Sequence, residues 1–176
     1  MIHRLAEREL KTQFGTFREI LYDDEQKESI ALVMGDVEDQ EDVLCRIHSH
    51  CIGAHVFNSV ECTCREEMEA AQSVIQKAGK GVIIWLDQEG KGNGHLALMK
   101  SIPYKKAGAS QADAYVMAGY KADARSYRGA SEILIDLRVR SIVLLSNSRA
   151  KVEELQKDLI NVSDVNELKL SPAEKS

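Results

Sequence analysis

Three features of the sequence predict an α+β fold in which a mixed sheet is flanked by helices. Short β-favouring runs fill the N-terminal third, two later runs are apolar on both faces, and the segments around them carry apolar residues at three- and four-residue steps. With 176 residues, 44% of them apolar and 29% charged, the chain has material for one core and a solvated surface, which excludes a disordered chain. Only two prolines occur and no linker or repeat divides the sequence. A single domain is therefore expected over residues 1–170, with a polar tail over 171–176 that frays.

The β-favouring runs are Thr16 to Tyr22, Ile30 to Met34 and Val43 to Ile47, separated by the acidic turns Asp23-Asp24-Glu25 and Asp36 to Asp42. We read them as an antiparallel sheet over 13–47. Beyond Cys64 the period changes: Met68, Ala71, Ile75 and Ala78 mark an amphipathic helix whose last turn carries Lys77 and whose C-terminal cap is Gly79. Gly81 to Leu86 and Ser141 to Leu145 read as strands buried on both faces, at the centre of the sheet. Between them Ala112 to Gly119 and Gly129 to Leu137 read as helices, and Lys151 to Leu159 follows as a third with Val152 and Leu155 inward. Gln88 to His95 is too rich in glycine for either element and is expected to be a loop.

Charge and cysteine usage narrow the class of function. Twenty-eight acidic against 23 basic side chains give a net charge of -5, the wrong sign for a general phosphate-backbone binder, so nucleic acid is excluded as the expected partner. No run reaches the roughly 18 apolar residues of a membrane span, and the start Met1-Ile2-His3-Arg4-Leu5 has no apolar signal core, so a cytoplasmic protein is expected. Four cysteines at 45, 51, 62 and 64 cluster rather than spread, which puts metal ligation ahead of disulfides.

Cys51, Cys62 and Cys64 form a C-x10-C-x-C pattern of three soft ligands. Three protein ligands with a fourth position left to water is the pattern of a catalytic zinc, whereas Cys45 or a histidine would complete a closed structural tetrahedron. Strand alternation puts Cys45 with Ile47 on one face and Arg46 with His48 on the other, which favours Cys45 as a core residue. His48 and His50 share a face if the strand continues, where they hold a substrate, a zinc-bound water or only solvent. In the loop 88–95, glycines let backbone N–H groups approach an anion, Lys91 adds a charge and Glu89 accepts hydrogen bonds from a base or ribose; the bland alternative is a flexible loop. Asp123-Ala124-Arg125 faces one side only if extended, making either an acid–base pair at a phosphate or a surface ion pair. Ser146 and Lys151 bracket a strand end and the first turn of the next helix, where the helix N-terminus attracts phosphate.

Taken in order, Arg46-Ile47-His48-Ser49 followed by Cys51, Cys62-x-Cys64, Gln88-Glu89-Gly90, Asp123-x-Arg125 and Leu144-Leu145-Ser146-Asn147 resemble GTP cyclohydrolase II of riboflavin biosynthesis, over roughly residues 5–165. The resemblance implies a GTP cyclohydrolase II-like fold and a homodimeric enzyme that opens the imidazole ring of GTP and releases formate and pyrophosphate. Zn2+ would serve the hydrolysis and Mg2+ the phosphates. It implies zinc on Cys51, Cys62 and Cys64, Asp123 as proton acceptor and Arg125 as nucleophile toward the α-phosphate. The nucleotide would be held by Arg46, Ile47, His48, Ser49, His50, Glu67, Glu89, Gly90, Lys91, Gln111, Ser146 and Lys151. A guanidinium, with a pKa above about 12, is a poor nucleophile, so charge stabilisation is the physically easier role for Arg125.

The departures fall on the nucleotide side. His50 stands for the family's glutamate, Glu67 for glutamine, Lys91 for arginine, Gln111 for threonine and Ile102 for a tyrosine used in ring opening; Thr63 and Arg65 replace aspartate and glycine beside the paired cysteines. Three readings follow: a GTP cyclohydrolase, a relative acting on a different or modified nucleotide, and a zinc-containing nucleotide-binding protein without turnover.

Overall fold

A computed structural model describes residues 1–146 and 148–170. Asn147 and the tail expected to fray lie outside the described residues. The chain runs β1 (His3–Thr12), β2 (Gly15–Asp23), β3 (Glu28–Met34), β4 (Val43–Ser49), α1 (Ile52–His55), α2 (Cys64–Ala78), β5 (Gly81–Leu86), α3 (His95–Lys106), α4 (Gln111–Met117), α5 (Arg128–Asp136), β6 (Ile142–Leu145), α6 (Arg149–Lys157) and β7 (Val162–Asn166). All strands join one mixed sheet in the order β1-β2-β3-β5-β4-β6-β7. This is the expected α+β architecture.

The central strands bury both faces, as their apolar runs require. On one face Val82, Ile84, Cys45, Ile47 and Leu144 pack with Ala130, Ile133 and Leu134 of α5 and Leu155 of α6. On the other, Ile83, Phe17 and Leu145 pack with Ala71 and Ile75 of α2. Cys45 is fully buried, as its strand parity predicts. Gly79 closes α2 at φ 71°, its N–H bonding to Ile75 O at 2.9 Å.

The antiparallel sheet read over 13–47 holds only in part. β2 and β3 pair antiparallel, whereas β4 leaves β3 and runs parallel between β5 and β6. The long acidic connection 36–42 allows that departure, and strand patterning is blind to pairing partner. The consequence is functional: the parallel strands β5, β4, β6 and β7 end on one edge, so the segments after β4, β5 and β6 meet there, at the place where such sheets bind ligands. Four elements lacked a sequence signal, and α1, four residues long, is too short to show a period. β1 is an exposed edge strand rich in charge, β7 is an exposed edge on the other side, and α3 spreads its apolar residues around the helix and contains Pro103.

Candidate active site

The first group at this edge is the cysteine trio. Cys51 follows β4 as the residue capping α1, Cys62 lies in the next turn, and Cys64 opens α2. Arg65 holds the two helices together by donating to Ala54 O at 2.7 and 3.0 Å and to His55 O at 3.0 Å. The three Sγ atoms lie within 4.8 Å of one another, Cys51 and Cys62 at 3.6 Å. Thiolates on a tetrahedral zinc, with Zn–S bonds of about 2.3 Å, stand about 3.8 Å apart, so the spacing fits that ion. Burial pushes the Cys51 and Cys64 thiols up, a cost that a divalent cation reverses. Neither Cys45 nor any histidine joins the cluster among the described residues.

The second group is the Asp123–Arg125 pair, which is extended and faces one side. Arg125 Nε donates to Oδ1 at 3.0 Å and an outer nitrogen to Oδ2 at 2.6 Å. Burial opposes the Asp123 charge, but the hydrogen bonds from Arg125 outweigh it and hold the carboxyl below its ordinary value. The same bonds raise Arg125.

The glycine-rich loop joins these two groups. Glu89 Oε1 accepts from Ile52 N at 3.1 Å on the cysteine side. On the other side Gln88 Oε1 accepts from Ser126 N at 2.9 Å, Lys91 O from Ala124 N at 2.8 Å, and Asn93 Nδ2 donates to Lys121 O at 2.9 Å. Gly92, at φ 81°, lies so close to Ala124 that a Cβ would fall 2.6 Å from its carbonyl carbon and oxygen. The loop is therefore a hydrogen-bonded spacer, not a flexible connection.

The third group is cationic. Arg46 is buried and donates to Leu145 O at 3.0 Å and to Glu67 Oε2 at 2.5 Å. Lys151, buried in the first turn of α6, donates to Ile47 O at 3.1 Å, and burial, then Arg46 and Arg125, push its pKa down to about 8. The Tyr127 ring lies 5.9 Å from the Arg125 guanidinium and 5.8 Å from the Lys151 ammonium. Six buried side-chain polar atoms lack a partner among the described residues, and five of them belong here: Arg46 Nε, His48 Nδ1, Ser49 Oγ, Gln88 Nε2 and Tyr127 Oη. Unpaired buried groups concentrated in one place are the mark of a site completed by water or ligand.

A family model described as GTP cyclohydrolase II matches residues 3–167, which contain all three groups. The chain belongs to the GTP cyclohydrolase II family. Among its relatives, a GTP cyclohydrolase-2 of Archaeoglobus fulgidus is 42% identical over 159 residues, 89% of this chain and 42% of that protein. A GTP cyclohydrolase-2 of Actinobacillus succinogenes is 36% identical, over 92% of this chain and 75% of that one. The riboflavin biosynthesis protein RibBA of Bacillus mycoides is 39% identical, over 89% of this chain and 40% of its own length. The chain thus spans about two fifths of two of these relatives and three quarters of the third. A solved structure of similar fold, RibBX, a two domain 3,4-dihydroxy-2-butanone 4-phosphate synthase from A. baumannii, aligns with 97% of this chain and 40% of its own at a TM-score of 0.53 and 18% identity. No helix among the described residues is long and apolar enough to cross a membrane.

The residues that the GTP cyclohydrolase II pattern assigns to the nucleotide are not all placed alike. Arg46 and Ser49 lie on β4, Glu89, Gly90 and Lys91 on the segment after β5, Ser146 just after β6, and Glu67 and Lys151 in the first turns of α2 and α6. Ile47 has its side chain in the core and offers the site only a carbonyl, which Lys151 already uses. Gln111 is exposed at the start of α4, and Ile102 is half-buried on α3. His48 and His50 do not act together: His48 is buried against His55, their Nε2 atoms 2.9 Å apart, and is driven to about 3 by burial and so stays neutral. His50 turns to Asp87, at 3.3 Å, and to Trp85. Gln88 stands in the sequence pattern without a role of its own, and Tyr115 and Tyr127 do not appear in it. Tyr115, buried on α4, stands where the charges of Glu89, Arg125 and Asp123 reach its phenol. Tyr127 carries a readable signal, because the i, i+2 rule that pairs Asp123 with Arg125 continues one step to it.

Proposed function

We propose that this chain is a zinc-dependent hydrolase that opens the imidazole ring of a purine nucleoside triphosphate, GTP first, with release of formate and pyrophosphate, acting as a cytoplasmic homodimer. The observation that carries the reading is the fixed spacing of the cysteine trio and the Asp123–Arg125 pair through one loop, bonded to Ile52 on one side and to Ala124 and Ser126 on the other. A scaffold has no physical need for that link. Cys51, Cys62 and Cys64 would hold the Zn2+, which supplies a Lewis acid and lowers the pKa of water to about 7.

Lys151 and Arg125 offer charge to phosphate, shared with Mg2+ on the nucleotide. Asp123, held ionised by Arg125, is ready to accept a proton. Arg125, made harder to deprotonate by the same contact, stabilises charge at the α-phosphate more readily than it attacks it. A second reading, a relative acting on a different nucleotide, is favoured by the Arg46–Glu67 pair, which commits a cation of the site to an internal carboxylate. A third, nucleotide binding without turnover, is favoured by Ile102 in place of the tyrosine.

One assay separates them. Zinc-loaded protein with magnesium is offered GTP, other purine nucleotides and pyrimidine nucleotides while formate and pyrophosphate are followed. Formate from GTP supports the first reading, formate from another nucleotide alone the second, and tight binding with no product the third. If pyrophosphate appears without formate, Ile102→Tyr is expected to restore ring opening.

A further inference from the structure

The hydroxyl of Tyr127 is anomalous for its position. The side chain is only 4% exposed and packs in the main core cluster beside Ala130 and Ile133, where phenylalanine would fit without a polar atom. Its oxygen is buried and has no hydrogen-bond partner among the described residues. Leaving a buried hydroxyl unpaired is unfavourable, so the group calls for a partner beyond the described side chains, such as one that joins the site. The surroundings say what. The ring is approached at 5.9 Å by the Arg125 guanidinium and at 5.8 Å by the Lys151 ammonium, and Arg46 is also close enough to act on the phenol. A neutral O–H among cations meets its best partner in an anionic oxygen, because a charged acceptor strengthens the bond.

We propose that Tyr127 is a ligand-binding residue whose hydroxyl donates a hydrogen bond to a phosphate oxygen held by Arg125 and Lys151. This rests on the reading of the cationic group as a phosphate site. Part of the Arg125 fork is committed to Asp123, and Tyr127 adds a further donor on a rigid ring, anchored just before α5, that fixes one more oxygen of the group.

The test uses zinc-loaded protein with magnesium and inorganic pyrophosphate as the probe, titrated calorimetrically into wild type and Tyr127→Phe, with guanosine as a phosphate-free control. The variant is expected to bind pyrophosphate about tenfold more weakly, equivalent to about 1.4 kcal/mol. Zinc content and guanosine affinity should stay unchanged, and the melting temperature should be equal or higher because the unpaired hydroxyl is gone. Equal pyrophosphate affinity in wild type and variant overturns the role of Tyr127 and leaves the phosphate site standing. No pyrophosphate binding by wild type overturns both. A parallel loss of guanosine affinity or zinc makes Tyr127 structural and also overturns the proposal.

Discussion

Replacing Gly92 by alanine tests whether the loop 88–95 sets the position of the Asp123–Arg125 pair. The new Cβ would lie 2.6 Å from the Ala124 carbonyl carbon and oxygen and 2.8 Å from Arg125 N, and these are backbone atoms that cannot rotate away. To reach an ordinary contact of 3.4 Å the two segments must separate by about 0.8 Å. Misplacing a reacting group by about 1 Å costs on the order of a hundredfold in rate, so kcat/KM should fall 30- to 100-fold, at roughly that scale. Gly94→Ala is the control: its φ of 96° is equally unsuited to a side chain, but nothing lies within 4 Å of the added carbon. Both variants should lose about 1–3 kcal/mol of stability from backbone strain, measured by denaturant unfolding, and both should keep their zinc. Only Gly92→Ala should lose most of its formate-releasing activity. Equal activity in the two variants would refute the idea that the loop positions the pair.

Three further outcomes are expected. Cys62→Ser should lower bound zinc, read by elemental analysis, to well below one per chain and abolish ring opening, and a chelator should do the same to wild type; turnover without metal would remove the trio's role. Glu67→Gln frees Arg46 from a contact of 2.5 Å and should tighten pyrophosphate binding about fivefold, roughly 1 kcal/mol once the one-third exposure of Glu67 is discounted. Calorimetry showing no gain would mean that Arg46 serves Leu145 alone. Lys151 has its pKa lowered from 10.5 to about 8, so the unfolded chain holds this proton more tightly and stability rises with pH across that window, while the cation available to phosphate is lost. Pyrophosphate affinity should therefore fall about tenfold between about pH 7.5 and 9.5 in wild type and stay level in Lys151→Arg, which keeps its charge; parallel curves would assign the pH dependence elsewhere.

Local patterns made part of this molecule legible. The twofold alternation places Cys45 in the core because Val43, Cys45 and Ile47 pack together against α5, while Leu44, Arg46 and His48 face the other side. The i, i+2 spacing of Asp123 and Arg125 was readable because the segment is extended and the bidentate pair is local. What could not be read depended on distant partners. Nothing in Gln88 announces that its amide caps Ser126 N, 38 positions away. His48 and His50 look equivalent on a strand, yet His55 and Asp87 pull them into separate contacts. The parallel placement of β4 was hidden for the same reason, although it brings all three groups to one edge.

The charge of that edge links folding to function. A chain of net charge -5 nevertheless gathers Arg46, Arg125 and Lys151 around one tyrosine. Two of the three are buried, and a buried cation is costly unless an anion accompanies it. Glu67 accompanies Arg46 and Asp123 accompanies Arg125. Among the described residues Lys151 has only the Ile47 carbonyl as a hydrogen-bond partner, and burial, with Arg46 and Arg125 nearby, lowers its pKa. An anionic ligand would supply the missing charge. The imbalance that makes Lys151 a weak point in the folded chain would, under the proposed reading, also make it a binding group, and the Tyr127 hydroxyl beside it lacks a partner among the described residues.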